Sequence, residues 1–393
     1  MNKRTIFAMV AALVTALAIF AYYGTSQAAD LGGNCCADLE ERVAELEATT
    51  ARKSNRKVTL EVYGQVNAGL LYLDAGGYSN TQVVNNGNDE SRLGFAGEAL
   101  ITPTLKAGFV MEFGLDQLGL LDSGVTSFQP TVRRSYWYLS SKDIGTISMG
   151  KLGQATQDFD RISPANTAVV ARPFSLGAVS DTYLTGIDVP FDGHYKNAVR
   201  LDSAKWNGFR ASASWGASKD ATSSDGNGNT WDVALTYGDD WKDFVVVGGI
   251  GYRHDTDLDI NILNMVSLSL PTGDVNTFLA TGGVKHKTTG LFMNLSYADQ
   301  DWKDANFKLK GWSAMGGMEY KWNSLGATTF YGEWAKMTFD AGTNYDAPYW
   351  GLGAVQNFEN VGMDIYAGYR QYDLGDFNAP DVKTLMVGTR FKF

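Results

Sequence analysis

The end of the chain is a strand whose two faces have opposite chemistry. One face carries apolar side chains and the other carries small or polar ones, namely Leu385, Val387, Phe391 and Phe393 against Thr384, Gly388, Arg390 and Lys392. Such a strand cannot hide its apolar face in a core that packs on both sides, and it fits a wall between hydrocarbon and water. The pattern therefore predicts a membrane β-barrel.

The N-terminus has the plan of a cleaved secretory signal. Lys3 and Arg4 precede an apolar run over residues 6–23, and the small-residue site Ser26-Gln27-Ala28 follows it. We predict a signal peptide over residues 1–28, with an uncleaved anchor helix as the alternative. No other stretch approaches the roughly 18 apolar residues that a transmembrane helix needs, which excludes a helical membrane protein.

Composition and charge narrow the class of partner. Removal of Lys3 and Arg4 lowers the formal net charge from −10 to −12, and no basic stripe remains, so nucleic acid is not expected to bind. The 44 glycines and 49 aromatic residues, against 8 prolines, fit many strands with aromatic belts at the membrane surfaces. The belt positions are expected to include Tyr72, Trp231, Tyr237, Trp241, Trp302, Trp312, Tyr320, Trp322 and Trp334.

Residues 29–57 are predicted to form a periplasmic segment with one short helix. Leu39, Val43, Leu46 and Thr50 follow one another at heptad spacing among charged residues. Two heptads are marginal on their own, so the helix would need support from other chains. A small coiled-coil stalk and a helix lying under the barrel both fit this pattern.

The chain has two cysteines, and they are adjacent in the same segment. Adjacent cysteines rarely bridge each other, because the geometry is strained. Cys35 and Cys36 are therefore expected to form inter-chain disulfides in an oxidising compartment or to stay as free or capped thiols.

From residue 58 onward, strands are joined alternately by short and long connections. Seven short turns fall at Pro103 with Thr104, Lys142 with Asp143, Asn207 with Gly208, Asp239 with Asp240, Thr288 with Thr289, Asn323 with Ser324, and Glu359 with Asn360. Eight longer polar segments fall at residues 74–90, 116–130, 153–193, 218–229, 254–275, 301–308, 339–347 and 373–381. This count requires sixteen antiparallel strands with both ends on the short-turn side. We predict an all-β membrane protein, a 16-stranded antiparallel transmembrane β-barrel over residues 58–393.

The longest loop, residues 153–193, combines carboxylates with apolar patches. A loop that folds inward would bury patches such as Val169, Val170 and Phe174 against the wall and leave the carboxylates facing the water path. An outer lid or a latch between subunits are the alternatives. The strands near residues 133–151 and 244–253 are apolar on both faces, which predicts cover by a neighbouring subunit or by an inserted loop.

Several motifs, in this order, resemble those of Gram-negative general porins. They are Val62-Tyr63-Gly64-Gln65-Val66, Ser91-Arg92-Leu93-Gly94-Phe95-Ala96-Gly97-Glu98, the strand from Ile144-Gly145-Thr146 to Gly150-Lys151 before the long loop, and the terminal Phe393. Residues 35–42 and 350–357 resemble the alphaproteobacterial, rhizobial-type branch. The resemblance covers essentially the whole chain after the signal.

This resemblance implies a homotrimer of barrels in the Gram-negative outer membrane, each a water-filled channel for passive diffusion of small hydrophilic solutes and ions. The third external loop would narrow the pore, with basic wall residues facing acids on the loop. By motif, Arg92 and Lys151 match the basic wall positions, while Lys196, Arg200 and Arg134 are further candidates. The facing acids would be Asp158, Asp160, Asp181 and Asp188.

The resemblance also implies roles at the barrel seam and partners outside it. The terminal strand should pair with the first strand, so that no edge is left in lipid. Phe391 and Phe393 would then serve barrel closure and recognition by the outer-membrane assembly machinery. The expected surroundings are outer-membrane lipid and lipopolysaccharide, and the residues leave open a contact of the N-terminal helix with peptidoglycan.

Two rival functions remain open from the residues. Trp137, Tyr138, Phe159, Phe174 and Tyr183 could line a path for sugars, which would make the channel substrate-selective for a sugar or an anion. Alternatively, the barrel could be a structural tether that holds the N-terminal helix to the cell wall. The acidic composition predicts a weak cation preference.

No catalytic, cofactor or metal site is predicted. The three histidines, His194, His254 and His286, fall too far apart in the predicted topology to share a metal ion or activate one nucleophile. The segment 145–152 almost spells a phosphate-binding loop, but Leu152 stands where a hydroxyl should bind magnesium.

Overall fold

Seventeen strands make up the part of the chain that this computed structural model describes, which is residues 58–115, 130–174, 191, 193–217, 229–258, 273–304 and 306–393. The strands are β1 (Thr59–Ala75), β2 (Tyr78–Asn85), β3 (Arg92–Leu100), β4 (Leu105–Gly114), β5 (Thr131–Ser141), β6 (Gly145–Gly153), β7 (Tyr195–Ser203), β8 (Phe209–Ala217), β9 (Asn229–Asp240), β10 (Phe244–Leu258), β11 (Gly273–His286), β12 (Leu291–Trp302), β13 (Phe307–Asn323), β14 (Gly326–Asp340), β15 (Asn344–Phe358), β16 (Met363–Tyr372) and β17 (Val382–Lys392). Three 3₁₀ turns accompany them: η1 (Phe159–Arg161), η2 (Glu359–Val361) and η3 (Gly375–Phe377). Within these residues, no helix has the length and apolar character needed to cross a membrane.

The strands form one closed antiparallel sheet with sixteen positions. Strand β1 pairs with β2 through residues 68–75 and with β3 through residues 59–65, so β2 and β3 together fill the second position. From β3 to β17, each strand pairs with the next along the chain, and β17 pairs with β1. The predicted 16-stranded barrel is confirmed. The polar loop expected over residues 74–90 instead contains β2, because β1 continues to Ala75 and β2 folds back along it.

The seam between β1 and β17 joins eleven residue pairs, from Gln65 opposite Lys392 to Ala75 opposite Val382. Beyond the last pair, the Gly64 amide donates to the Phe393 carbonyl at 2.9 Å, and the Phe393 amide donates back at 3.1 Å. A Cβ at Gly64 would lie 2.7 Å from the Phe393 ring, so glycine lets the terminal aromatic lie over β1. The last residue is thus hydrogen-bonded into the closed wall.

Alternation along the strands separates an apolar outer face from a more polar inner one. In β17, Thr384 and Arg390 point inward and are buried, whereas Phe391 points outward and is 46% exposed. Most of the predicted belt aromatics are on the outer face, but the placement of Trp302 there is wrong. Trp302 is 1% exposed and packs against Phe307, because the even-numbered residues of β12 are the inward ones.

The short connections fall where the sequence predicts them, with one shift. Strand β9 continues through Asp239 and Asp240, and the turn occupies residues 241–243, because the β9–β10 ladder runs as far as Asp240 opposite Val245. At the other end, β10 extends to Leu258, into a segment predicted as loop. The predicted signal peptide and the N-terminal helix lie outside the described residues.

Candidate functional site

The long loop, residues 153–193 and here called the inner loop, begins and ends against the same patch of wall. The Gln154 amide donates to the His194 carbonyl at 3.1 Å, and the Gly193 amide donates to the Thr156 carbonyl at 3.1 Å. The amide and hydroxyl of Thr156 both donate to Asp232 on β9, at 2.7 and 2.8 Å. These bonds tie the two ends of the loop together and to the barrel.

Glycines on the inner wall allow the described part of the inner loop to lie close to the strands. A Cβ at Gly251 on β10 would lie 2.7 Å from Thr156, and one at Gly311 on β13 would lie 2.7 Å from Phe174. A Cβ at Gly368 on β16 would lie 2.6 Å from Val170. The inner loop therefore crosses from β10 to β16 along the wall, and it covers the inner face of β10 at Gly249 and Gly251.

A second segment, residues 86–91 between β2 and β3, turns inward and holds the far part of the inner loop. We call it the anchor segment. The side-chain amide of Asn86 donates to the Val169 carbonyl at 2.6 Å, and that of Asn88 donates to the Val170 carbonyl at 3.1 Å. Asn86 and Asn88 are 0% and 4% exposed. Two buried amides thus replace water as partners of the loop backbone.

The anchor segment is itself fixed by the first strand. The side-chain amides of Gln65 and Asn67, both inward on β1, donate to the Asp89 carbonyl at 2.8 and 2.7 Å. The Ser91 hydroxyl accepts a bond from the Asn67 backbone amide at 2.9 Å. Gln65 therefore orders the backbone of the anchor segment and supplies no charge.

Asp89 is the centre of the charges around the anchor segment. Its carboxylate lies 3.0 Å from Arg92 on β3 and 2.8 Å from Arg161 on the inner loop, and it also pairs with Arg390 on β17. Burial by itself would raise the pKa of Asp89, but the charges of Arg161, Arg92 and Arg390 outweigh burial and hold the pKa well below its usual range. We call these four residues the Asp89 cluster.

Asp89 is a functional residue that the sequence patterns do not reveal. It lies in a polar stretch without periodicity, and the only signal was its position three residues before Arg92. Its other partners are 72 and 301 residues away along the chain.

A bulge in β5 directs two consecutive arginines into the lumen. The register with β4 shifts between Glu112 and Phe113, so Arg133 and Arg134 both point inward. Their guanidinium groups donate to the Tyr195 hydroxyl at 3.1 and 3.2 Å and lie 5.0 and 5.3 Å from its ring centre. Strict alternation would place only one of two consecutive residues inside, so the bulge is what brings Arg133 into the lumen beside the predicted Arg134.

The predicted basic residues lie in different surroundings. Arg92 is 22% exposed in the Asp89 cluster, and Lys151 lines the central cavity without an ion pair to any described residue. Arg200 pairs with Asp202 at 2.8 Å and donates to the carbonyls of Gly153 and Gln154. Lys196 is 3% exposed and lies 3.8 Å from the buried Asp255, behind the start of the inner loop and away from the water path.

Two of the predicted acids are described, and they differ in exposure. The Asp158 side chain is 40% exposed and lies 3.2 Å from Arg161 and 4.0 Å from Arg134. Asp160 is mostly buried and pairs with Arg172 on the same loop. Asp181, Asp188, Cys35 and Cys36 lie outside the described residues.

Aromatic residues proposed for a sugar path do not form one among the described residues. Trp137 points outward and is 44% exposed, and Phe159 and Phe174 are buried between the inner loop and the wall. Tyr138 points inward, where its hydroxyl donates to Glu98 at 3.0 Å. Tyr183 lies outside the described residues.

Two water-accessible spaces meet at the tip formed by Gln157 and Asp158. The central cavity, of about 330 Å³, is lined by residues that include Arg133, Lys151 and Arg161. The turn-side cavity, of about 510 Å³, extends from the same tip toward the short turns. The described lumen is therefore a polar passage with opposite charges on the wall and the loop.

Comparison with known proteins gives a consistent assignment. A family model described as Gram-negative porin matches residues 11–376. A similar solved structure is a loop-deletion variant of OmpT, an outer-membrane protein of Vibrio cholerae, with a TM-score of 0.60, 16% identity and coverage of 86% of this chain and 99% of that chain. The anion-selective porin from Comamonas acidovorans has a TM-score of 0.60 at 15% identity, with 86% and 100% coverage. OmpF of Salmonella typhi in complex with daunomycin has a TM-score of 0.60 at 16% identity, and the match covers 86% of this chain and 99% of that chain. No curated protein sequence matches the chain.

Proposed function

The chain belongs to the Gram-negative porin family, and we propose that its pore is narrowed by the inner loop, with selectivity set by the charges around Asp158. It is an outer-membrane channel for the passive diffusion of small hydrophilic solutes and ions. Its family and fold are those of channels, and we propose no catalytic role and no cofactor. Its placement in the rhizobial-type branch stays a proposal.

The arrangement of charge around Asp158 supports this proposal. Arg133 and Arg134 project from the wall, and Asp158 projects from the loop toward Arg134. Charges fixed on opposite sides of a narrow water path orient water across it and disfavour large apolar solutes. Lys151 and Arg92 would contribute to the basic side, although the charge of Arg92 is largely offset by Asp89 and Glu112.

A sugar- or anion-selective channel is the alternative. The described aromatic residues do not favour the sugar form, because Trp137 faces outward and Phe159 and Phe174 are buried. For the tether function we offer no support, since its helix lies outside the described residues.

We also propose a homotrimer. OmpT of Vibrio cholerae has a solved trimer form, and its fold is similar to that of this chain. Lipid and lipopolysaccharide would surround the trimer, and the assembly machinery would recognise the strand that ends in Phe391 and Phe393. A peptidoglycan contact through the N-terminal helix, and inter-chain disulfides at Cys35 and Cys36, stay predictions.

Single-channel recording in planar bilayers tests the diffusion pore. We expect a large ohmic conductance in KCl and only weak ion selectivity. In the double variant Arg92→Gln, Lys151→Gln, the reversal potential in a salt gradient should shift toward cations. Lys321→Gln is the matched control, because Lys321 is an exposed lysine near a short turn of β13 that pairs with Glu359. A small conductance that one sugar blocks would contradict the general pore, and an unchanged reversal potential would show that Arg92 and Lys151 do not face the constriction.

A further inference from the structure

We propose that the turn-side cavity is a low-affinity binding site for small dianions, such as inorganic phosphate or a dicarboxylate. This inference rests on the proposed diffusion function, because a dianion reaches the site through the open channel. The cavity is lined by inward residues of β4 to β8 and is bounded toward the inner loop by Gln157 and Asp158.

Four basic side chains follow one another up this part of the wall. Arg210 and Lys106 are each the second residue of a strand that follows a short turn, on β8 and β4. Arg200 lies further up, opposite Ser148, and Arg134 lies higher still, opposite Glu112. Inward side chains on one strand are spaced by about 6.6 Å, because every second residue faces the lumen. The four basic side chains therefore mark a path from the short-turn end of the barrel to Asp158.

The charges on this path are only partly compensated. Lys106 pairs with Glu98 at 2.7 Å and Arg200 pairs with Asp202 at 2.8 Å. For Arg134, the nearest carboxylate oxygens are 3.9 and 4.0 Å away. Arg210 is exposed, and its side chain has no ion pair or hydrogen bond to any described residue. Arg134 and Arg210 are therefore the groups with most capacity to bind an added anion.

The lining as a whole favours a doubly charged anion over a neutral solute. Four basic residues and two acidic ones, Asp158 and Asp202, face the cavity, although the complete chain has a net charge of −10. Guanidinium groups present paired N–H donors that match phosphate and carboxylate oxygens. The Tyr136 and Ser148 hydroxyls lie between the arginines and can also donate.

The same features keep the binding weak. The cavity is open to water, and two of its four basic side chains already hold carboxylates. Weak binding suits a channel, because a solute must bind well enough to enter and loosely enough to leave. The local charge also opposes the cation preference that composition predicts, since the potential in a channel depends on the groups that line it.

The experiment uses the mature protein in planar bilayers with 0.1 M KCl. Sodium phosphate at pH 7.5, or sodium succinate, is added on the side of the short turns, and KCl of equal ionic strength is added in parallel. We expect both dianions to reduce the KCl current in a saturable manner. In Arg210→Gln and in Arg134→Gln, the half-effect concentration should rise about three- to tenfold. Lys321→Gln, which removes an exposed charge near a short turn of β13, should leave it unchanged.

The outcomes separate this inference from the channel function. No KCl conductance at all would overturn the diffusion function itself. Ohmic KCl conductance with no dianion effect beyond that of equal ionic strength would overturn the site alone, as would an equal weakening in Lys321→Gln. An effect of phosphate without succinate, or the reverse, supports the site and identifies its preferred geometry. Because Arg210 is exposed and unpaired within the described residues, its variant tests the site even if Arg134→Gln fails to fold.

Discussion

The Asp89 cluster gives the sharpest test of how the pore is held in shape. Asp89 is 2% exposed and compensates Arg92, Arg161 and Arg390 on three separate elements. The substitution Asp89→Asn keeps the size of the side chain and removes its charge. Three guanidinium groups would then face one another, and Arg161, which lines the central cavity, would lose its closest carboxylate.

Two magnitudes follow from this geometry. Removing one partner of a buried ion pair costs about 3–5 kcal/mol, which should loosen the contact between the anchor segment and the inner loop. A unit charge about 7 Å from a permeating ion in water contributes about 0.6 kcal/mol, and screening in 0.1 M salt halves this value. Since the loss of a negative charge disfavours cations and favours anions, the permeability ratio should shift toward anions by about threefold.

The assay is the reversal potential in a KCl gradient, together with the noise of the open-channel current. Asp89→Asn should shift the reversal potential toward anions and increase the noise. Asp89→Glu, which keeps the charge, should retain most of the selectivity. Glu359→Gln is the control for loss of a carboxylate. It breaks an exposed pair with Lys321, and because such pairs contribute about 1 kcal/mol or less, its selectivity and noise should match the wild type. Wild-type selectivity and noise in Asp89→Asn would refute the role of this cluster.

Three further predictions concern the loop and the seam. In Gly368→Val, the new side chain should push Val170 and the inner loop into the lumen and lower the conductance. Gly332→Val is the control and should keep the wild-type conductance, because a Cβ at Gly332 has no contact closer than 4.0 Å. Equal conductance in the two variants would contradict the path of the loop. Burial and the charge of Arg253 lower the pKa of His194 to about 3, so the base of the loop keeps a neutral His194 while a released loop takes up a proton below about pH 6.5. The closed base should weaken by up to about 1.4 kcal/mol per pH unit as the pH falls from 6.5. The measurement is the amide protection factor near residue 194, corrected for the pH dependence of intrinsic exchange, which should fall in the wild type and stay constant in His194→Gln; a pH-independent protection factor in the wild type would be the contrary result. Deleting Phe393 removes both hydrogen bonds to Gly64 and should lower the yield of folded barrel while the channels that fold keep wild-type conductance; a full yield would exclude a role in closure.

Much of the barrel could be predicted because its signals are local. A period of two along Val382–Lys392 reports lipid on one side and water on the other, whatever the rest of the chain does. Short turns such as Asn207 with Gly208 carry their own signal, since both residues adopt positive φ. The count of sixteen and the pairing of the first strand with the last follow from these signals and from the need to leave no strand edge in lipid.

The site could be predicted only in outline. Arg92, Lys151 and Asp158 came from motifs and from the loop, and the structure places them around the Asp89 cluster and the central cavity. Lys196 has the right charge and faces inward, but the inner loop covers it. Inward direction therefore does not establish contact with water, because a covered residue and an exposed one have the same periodicity.

What the sequence alone determined is most of the wall: the sixteen positions of its strands, the faces of most of their residues and the seam at Phe393. What only the tertiary structure decided is the interior. The bulge in β5 turns both Arg133 and Arg134 inward, so the positions that face the lumen change from odd to even numbers at this point of the strand. Strict alternation cannot show such a change. The inner loop and the anchor segment meet through bonds such as Asn86 to Val169, 83 residues apart. Such contacts depend on the closed barrel bringing distant strands together, so the charges they bury or leave in water are a property of the fold.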